Sequence, residues 1–285
     1  MIIGGIVLYN PDVERLLENI KAIYLQVDLV VLVDNGSNSF SQISNVIIEQ
    51  YEDITFIKNP VNIGIASALN QLMRFGLDNG AEWVLTLDQD SVCPNDIIKN
   101  YLKYTDIQNI GIICPIINDR SFGYVNNGIQ QEVDYSYIDV CITSASLTSV
   151  KAWNDVGGFD ETMFIDGVDT DFCLSLKEHG YRIIQCNGVS LLHEIGHNSK
   201  IVSILGHVQV VFNHSAFRYY YICRNIIYNN RKHRGNRPSP LRGLITVLFR
   251  FLLVLVYENN KIVKSKAIIK GLIAGFKSPI NRGLL

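Results

Sequence analysis

The chain predicts an α/β fold: a mostly parallel sheet flanked by helices, with a helical appendage at its C-terminal end. Three observations predict it. Short β-branched runs alternate with helical patterns from residue 2 to about residue 117, the mark of strands joined by crossover helices. Runs such as Ile2–Leu8 and Leu29–Val33 are apolar throughout rather than alternating, as strands covered on both faces must be. Beyond Ser215 the pattern changes to helices alone.

Ile2–Leu8 is the first predicted strand, and Pro11 and Asp12 then open a helix with Leu16, Leu17, Ile20 and Ile23 on one face. Leu29–Val33 is the second strand and ends in Asp34-Asn35-Gly36-Ser37; a helix near Gln42–Tyr51 and a short strand at Ile54–Ile57 follow. Ile65–Leu77 is helical, with Ala66, Leu69, Leu72, Met73 and Leu77 as its apolar stripe, and Trp83–Leu87 is a buried strand. Next come a helix near Asn95–Tyr104, a strand at Ile110–Ile117 and hairpin or meander strands within 120–142. Val150–Val156 and Asp169–His179 read as helices, Tyr181–Cys186 and Val189–His193 as short strands. The chain thus divides into residues 1–214 and a basic, amphipathic helical region, residues 215–285.

With 285 residues, 48% of them hydrophobic, the chain can bury a large core and is too apolar for extended disorder. Its six cysteines form no Cys-x-x-Cys pair, which fits neither a zinc site nor a disulfide framework and points to a reducing cytoplasm. The opening MIIGGIVLYN lacks a basic n-region and a cleavage site, so no signal peptide is expected. The net charge of −2 hides an asymmetry: from Arg218 onward 14 Lys/Arg oppose one acid, Glu258, whereas the first 217 residues hold the other 11 bases and 26 acids. A basic end of this kind suits an anionic surface. No nucleic-acid-binding motif accompanies it, so nucleic acid is not an expected partner.

Asp88-Gln89-Asp90 closes the Trp83 strand and delivers two carboxylates to the strand's carboxyl end, the edge at which open α/β sheets bind ligands. Two such acids suit a hard divalent cation, Mg or Mn, and with it a phosphate-bearing substrate; alone, they also suit a solvated turn. Asp34 lies on the same edge, where a carboxylate can accept from the N–H of a pyrimidine, or where Asn35-Gly36 simply makes a turn. Asn62-Ile63-Gly64 precedes the third helix, where glycine admits close backbone approach and the helix start favours anions; a plain N-cap is the other reading.

Taken in order, Leu8-Tyr9-Asn10, Val33-Asp34-Asn35-Gly36-Ser37, Asn62-Ile63-Gly64-Ile65-Ala66-Ser67-Ala68-Leu69-Asn70 and Asp88-Gln89-Asp90-Ser91 resemble the inverting family 2 glycosyltransferases. Leu85-Thr86-Leu87-Asp88-Gln89-Asp90-Ser91 is most similar to their bacterial rhamnosyltransferase branch. The resemblance covers roughly residues 1–230 and implies a GT-A fold and a nucleotide-diphosphate-sugar donor. It further implies that Tyr9 and Asn10 line the base pocket and that Asp34 binds the pyrimidine. Asn62 and Gly64 would face the donor, Asp88 the ribose or metal, and Asp90 would coordinate Mg or Mn bridging the diphosphate.

Direct displacement at an anomeric carbon needs a base for the acceptor hydroxyl. Gly157-Gly158-Phe159-Asp160-Glu161 leads into Phe164-Ile165-Asp166-Gly167-Val168-Asp169-Thr170-Asp171-Phe172-Cys173-Leu174. By resemblance, an acidic pair in this segment ends in the base, which is Asp169 when aligned on the residues that follow. Val168 stands where the first acid is common and Ser175 where an Arg often stands, which leaves Asp166 as the second candidate. Asp171 reads as a charge at the start of a helix. His193 ends a short apolar strand, and the resemblance implies a metal ligand there; a structural histidine is the other reading.

Arg218-Tyr219-Tyr220-Tyr221-Ile222-Cys223-Arg224-Asn225 also resembles the rhamnosyltransferase branch, and either Arg218 or Arg224 would contact the diphosphate or an anionic acceptor. Leu241–Val256 is densely apolar, but it is shorter than a membrane span and carries Arg242 and Arg250. Lys261–Phe276 mixes lysines with Ile262, Ile268, Ile269, Leu272 and Ile273. Both fit interfacial helices on an anionic membrane, or a helical pair packed on the first unit or on a sister subunit of a homo-oligomer.

The resulting expectation is a metal-dependent inverting transfer of L-rhamnose from dTDP-rhamnose to a lipid-linked bacterial surface polysaccharide, such as O-antigen, capsule or cell-wall glycan. It would run in the cytoplasm, peripherally on the inner face of the membrane. A UDP-hexose donor is the nearest rival and a membrane-bound scaffold without turnover a more distant one. A nucleotidyltransferase would need a glycine- and lysine-rich first loop, which Leu8-Tyr9-Asn10-Pro11 does not offer.

Overall fold

The computed structural model describes residues 1–119, 123–124, 133–193, 200–204, 207–235 and 240–281. Its first part is β1 (Ile2–Leu8), α1 (Val13–Ile23), β2 (Leu29–Asp34), α2 (Phe40–Ile48), β3 (Ile54–Lys58), α3 (Ile65–Asp78) and β4 (Trp83–Asp88). Asp12 starts α1 as its N-cap, accepting from Arg15 N at 3.1 Å, a cap worth about 1 kcal/mol. β1 pairs in parallel with both β2 and β4, and β2 with β3. The carboxyl ends of four strands therefore share one edge.

The chain continues through α4 (Ile97–Tyr101, prolonged by a 3₁₀ turn at Leu102–Tyr104), β5 (Ile110–Asp119), β6 (Gly123–Tyr124), β7 (Tyr135–Ile138) and β8 (Ser146–Ser149). After these come α5 (Val150–Asp155), α6 (Val168–Glu178) and β9 (Arg182–His193). The sheet order is β3-β2-β1-β4-β8-β5-β9-β7, with β6 on β5. β8 runs antiparallel to both β4 and β5, β7 runs antiparallel to β9, and β5 and β9 are parallel. The sheet is thus mostly parallel but mixed beyond β4.

Two elements of the main sheet differ from the expectation for physical reasons. β8 reads Ser-Leu-Thr-Ser, too polar and short to register as a strand, yet all four residues are buried. Neighbouring chain satisfies its polar groups: Ser146 Oγ donates to the Ile142 carbonyl (2.6 Å), and the Ser146 carbonyl accepts from Thr86 Oγ1 (3.1 Å). The two short strands expected at 181–186 and 189–193 are one strand, β9, bulged where its register against β5 shifts between Pro115 and Ile116. That bulge absorbs Asn187 and Gly188, the residues that read as a break.

Successive side chains of the strands alternate between two cores. Ile3, Val7, Val31, Val33 and Val84 face one layer with Leu69 and Leu72 of α3, Trp153 of α5 and Phe172 of α6. Ile6, Leu8, Leu32, Leu85 and Leu87 face the other with Leu16, Ile20, Ile43, Ile47 and Ile97. Covering on both faces explains the unbroken apolar runs. Gly5 is required here, because a Cβ there would fall within 2.0 Å of the Leu72 side chain.

Past a separate hairpin of β10 (Lys200–Ile204) and β11 (His207–Val211), the chain forms α7 (Ala216–Lys232), α8 (Pro240–Tyr257) and α9 (Lys261–Lys277). Tyr219, Cys223 and Ile227 of α7 pack with Val247, Val254 and Ile268 in a third core. Glu258 is buried there, bonded to Lys264 (2.7 Å) and to the Tyr219 hydroxyl. On α8, Leu241, Ile245, Leu248, Leu252 and Val256 face outward, as do Ile262, Val263, Ile269 and Ile273 on α9. No described helix is long and apolar enough to cross a membrane. All six cysteines are free, with the Cys141 and Cys173 sulfurs 3.8 Å apart.

Candidate active site

At the shared sheet edge β1 lies between β2 and β4, with Leu8 opposite Asp34 and Val7 opposite Asp88. The Asp34 and Asp88 carboxylates therefore flank the start of the Tyr9-Asn10 turn. Asp34 is fully buried, and its carboxylate accepts from Ser37 N (3.2 and 3.3 Å). Asn10 takes a positive φ of 48°. Its N–H donates to Ser37 Oγ (2.8 Å), and its Oδ1 accepts from Asn38 N (2.9 Å). Gln89, the spacer of the acidic pair, accepts from Tyr9 N at 2.8 Å. The first, second and fourth strand ends are thus cross-linked into one surface, from which the Tyr9 side chain stands exposed.

Asn62 and Gly64, expected to face the donor, make contacts within the chain. Asn62 Oδ1 accepts from Gly64 N (2.9 Å) and from Asn35 Nδ2 (3.1 Å), and Asn35 Oδ1 accepts from Ile63 N (3.0 Å). Their polar groups thus hold the loop to β2. Gly64 does support a close backbone approach, but the neighbour is Phe164 of this chain: a Cβ on Gly64 would lie 2.8 Å from the Phe164 carbonyl oxygen. That oxygen accepts from Ile65 N at 2.8 Å, so a donor at the start of α3 is already used. Asn70 acts alike. Its Oδ1 accepts from Phe159 N (2.8 Å) and Trp153 Nε1 (2.9 Å), tying the Gly157-Gly158-Phe159 turn to α3.

Asp90 is exposed and Asp88 half-buried at the end of β4. Among the described residues no group of three or more His, Cys, Asp or Glu could hold a metal ion. His193 ends β9, but its side chain lies outside the described residues. Two carboxylates on one turn, one of them open to solvent, fit a Mg or Mn ion that completes its shell with water and diphosphate oxygens. They do not suit a resident ion caged by protein alone.

Asp169 sits in the first turn of α6 and lines a cavity of about 210 Å³ with Cys114, Pro115, Ile138, Cys141 and Gln185. Burial in these surroundings pushes its carboxyl up to about 7, and the nearby Asp88 carboxylate pushes the same way. Hydrogen bonds from the Thr143 hydroxyl and N–H partly offset the shift. Thr143 carried no signal in the sequence. Next to it, Ser144 Oγ donates to Ser91 Oγ at 2.7 Å, which ties the segment holding Asp169 to the turn holding Asp88 and Asp90.

Asp166 is engaged instead. Arg218 grips it with two bonds, Nη2 to Oδ1 at 2.6 Å and Nε to Oδ2 at 3.2 Å. Asn225 Nδ2 holds the carbonyls of Ile165 (2.9 Å) and Asp166 (2.6 Å), fixing Asp166 at φ 63°. Both oxygens of Asp166 are thus engaged by Arg218, whereas Asp169 faces a cavity. Arg224 is buried, bonded to Asn225 Oδ1 (2.6 Å) with its guanidinium over the Tyr228 ring. Of the two arginines, Arg218 is therefore the one beside the acidic turn. Asp171 does more than start a helix. It is buried, with Lys232 Nζ at 2.9 Å and His233 Nε2 at 2.8 Å, and it fastens α7 to α6.

Residues 5–166 match the family model described as "Glycosyl transferase family 2". The chain is 30% identical to the dTDP-rhamnosyl transferase RfbF of Shigella flexneri, over 95% of this chain and 94% of that protein. It is 23% identical to the rhamnosyltransferase WbbL of Escherichia coli K12, over 78% and 92% of the two. Its fold matches the mannosyltransferase PcManGT of Pyrobaculum calidifontis, solved with GDP-Man and Mn²⁺, at a TM-score of 0.60 and 16% identity, covering 98% of this chain and 75% of the other.

Proposed function

This chain belongs to glycosyl transferase family 2, and from that membership we propose that it is an inverting rhamnosyltransferase using dTDP-rhamnose. The observation that carries the reading is Asp169: a carboxyl with its proton affinity raised to about 7, facing a cavity and neighbouring Asp88 at the donor edge. A group of that affinity is matched to taking a proton near neutral pH.

In this reading the acceptor hydroxyl passes its proton to Asp169 as its oxygen bonds to the anomeric carbon. The bond from that carbon to the diphosphate oxygen breaks, and dTDP leaves with the electron pair. A divalent Mg or Mn ion held by Asp90 and Asp88 would neutralise charge developing on the diphosphate. Asp34, buried below the Tyr9-Asn10 turn, would receive the pyrimidine. Rhamnose and the thymidine nucleotide rest on the likeness to the Shigella and Escherichia coli proteins.

The acceptor of this reading is a growing, lipid-linked bacterial surface polysaccharide, and residues 215–285 would hold the enzyme on the inner face of the membrane. Support comes from the outward apolar residues of α8 and α9 among cationic side chains, while Glu258, the one acid after Arg218, is buried. Apolar side chains would enter the acyl boundary as lysines and arginines meet lipid phosphates.

Calorimetric titration of dTDP and UDP, each with and without Mn²⁺, tests the donor assignment. Metal-dependent binding that prefers dTDP is expected. Preference for UDP would replace rhamnose by a UDP-hexose within the same chemistry, and binding of neither would remove the donor site from the sheet edge.

A further inference from the structure

A second cavity, of about 290 Å³, lies beside the base and takes no part in the transfer described above. Its walls are the Asp166–Thr170 turn, Asn225 and Asn229 of α7, and Arg250 of α8. Thr170 lines this cavity and the one that holds Asp169, so the two are neighbours across a single residue.

Two polar atoms of this lining are buried without a hydrogen-bond partner: Nε of Arg250 and Oδ1 of Asn229. Buried polar atoms are almost always paired, and an unpaired nitrogen of a charged group is especially costly, so two such atoms on the wall of one cavity call for a physical explanation. Their chemistry is complementary. Arg250 needs an acceptor, while Asn229, whose Nδ2 already donates to the Gly167 carbonyl (3.1 Å), needs a donor at its oxygen.

Charge narrows the choice. Asp166 is the one acid among the lining residues, and Arg218 compensates it at 2.6 Å. His214, also in the lining, is held down to about 4 by burial, with Arg218 and Arg250 acting in the same direction, so its ring is neutral at pH 7. The Arg250 guanidinium is then the uncompensated charge of the cavity. A guanidinium matches the paired oxygens of a phosphoryl group, and a sugar hydroxyl matches the free oxygen of Asn229.

Resting on the glycosyltransferase reading, we propose that this cavity is the acceptor's sugar-phosphate subsite. Arg250 binds the phosphoryl group, Asn229 binds a hydroxyl of the adjoining sugar, and that sugar reaches Asp169 past Thr170. A phosphoryl group here can belong to a soluble sugar phosphate or to one carrying an apolar chain.

The test titrates glucose 1-phosphate, octyl phosphate and neutral octyl glucoside into the full-length protein, with dTDP and Mn²⁺ saturating. Both phosphates should bind the wild type. Arg250→Gln should weaken both about tenfold and Arg250→Lys should recover part of the loss, with dTDP affinity and melting temperature unchanged in both variants. Tighter binding of octyl phosphate would assign a lipid-borne phosphoryl group, and tighter binding of glucose 1-phosphate a soluble one. Equal binding of the phosphates to wild type and Arg250→Gln, binding of octyl glucoside as tight as octyl phosphate, or loss of dTDP binding with Arg250→Gln would overturn the subsite. Failure of the wild type to bind dTDP would sink the donor reading alone, since the phosphate titrations remain readable.

Discussion

At the sheet edge, Asp34, Asp88 and Asp90 come from the ends of β2 and β4, the parallel strands on either side of β1, and hydrogen bonds among Tyr9, Asn10, Ser37 and Gln89 join them. Around the proposed base, Asp169 depends on Thr143 and on the turn before α6, and that turn depends on Arg218 and Asn225, about fifty or more positions further along the chain. The first region is positioned by backbone pairing and the second by side chains meeting across the fold. Substitutions should therefore behave differently in the two. At the edge they should change what binds; around the base they should change how fast bound substrate reacts.

Asp169→Asn should show the largest effect, because it removes the proton acceptor and keeps the shape. Turnover should fall about 10³-fold, within the range typical of a lost general base, while dTDP binds as in the wild type. Full turnover would move the base to Asp166. The pH dependence has a definite sign. The carboxyl titrates at about 7 and acts when ionised, so activity should rise as pH increases through about 7. A cation beside Asp88 would weaken the repulsion that helps raise this value and shift the limb to lower pH. Stability should run the other way. Asp169 is more readily protonated folded than unfolded, so its contribution is present at low pH and lost as pH rises through about 7. Asp169→Asn should then melt slightly higher than the wild type at pH 8, read by calorimetry.

Asp90→Ala comes next and probes the other region. Removing one of two carboxylates should weaken Mn²⁺-dependent dTDP binding about 100-fold, on the scale of a lost metal contact, and leave metal-free binding as it was. Metal-dependent affinity equal to the wild type would refute Asp90 as a ligand.

The contrast also explains what could be read before the fold was known. Strand ends and the polar loops after them are local in the chain, so Asp34 and Asp88 were legible as one edge from the spacing of apolar runs. Asp169 was singled out only through the family resemblance, aligned on the residues after it, with Asp166 as the second candidate. Thr143 was not, because it stands in a polar stretch whose place beside Asp169 is set by the pairing of β8 with β4. Strand β8 itself was hidden for the same reason: its burial rests on hydroxyl hydrogen bonds rather than an apolar run. The grip of Arg218 on Asp166 belongs to α7 docking on the turn before α6, which no local pattern encodes.

Gly64→Ala should have the smallest effect and is the sharpest test of the boundary between the two regions. Gly64 belongs to a donor-side motif, yet it touches Phe164 of the acceptor segment. At φ +88° an alanine is strained, and its Cβ would come within 2.9 Å of the Phe164 Cα. Together these should cost about 1–2 kcal/mol of stability. The strain would be relieved by moving Phe164, which leads directly into Asp166 and Asp169. Turnover should therefore fall a few-fold at unchanged dTDP affinity. The opposite pattern, weaker dTDP binding at wild-type turnover, would return Gly64 to the donor pocket and shift the boundary between the two regions to the far side of α3.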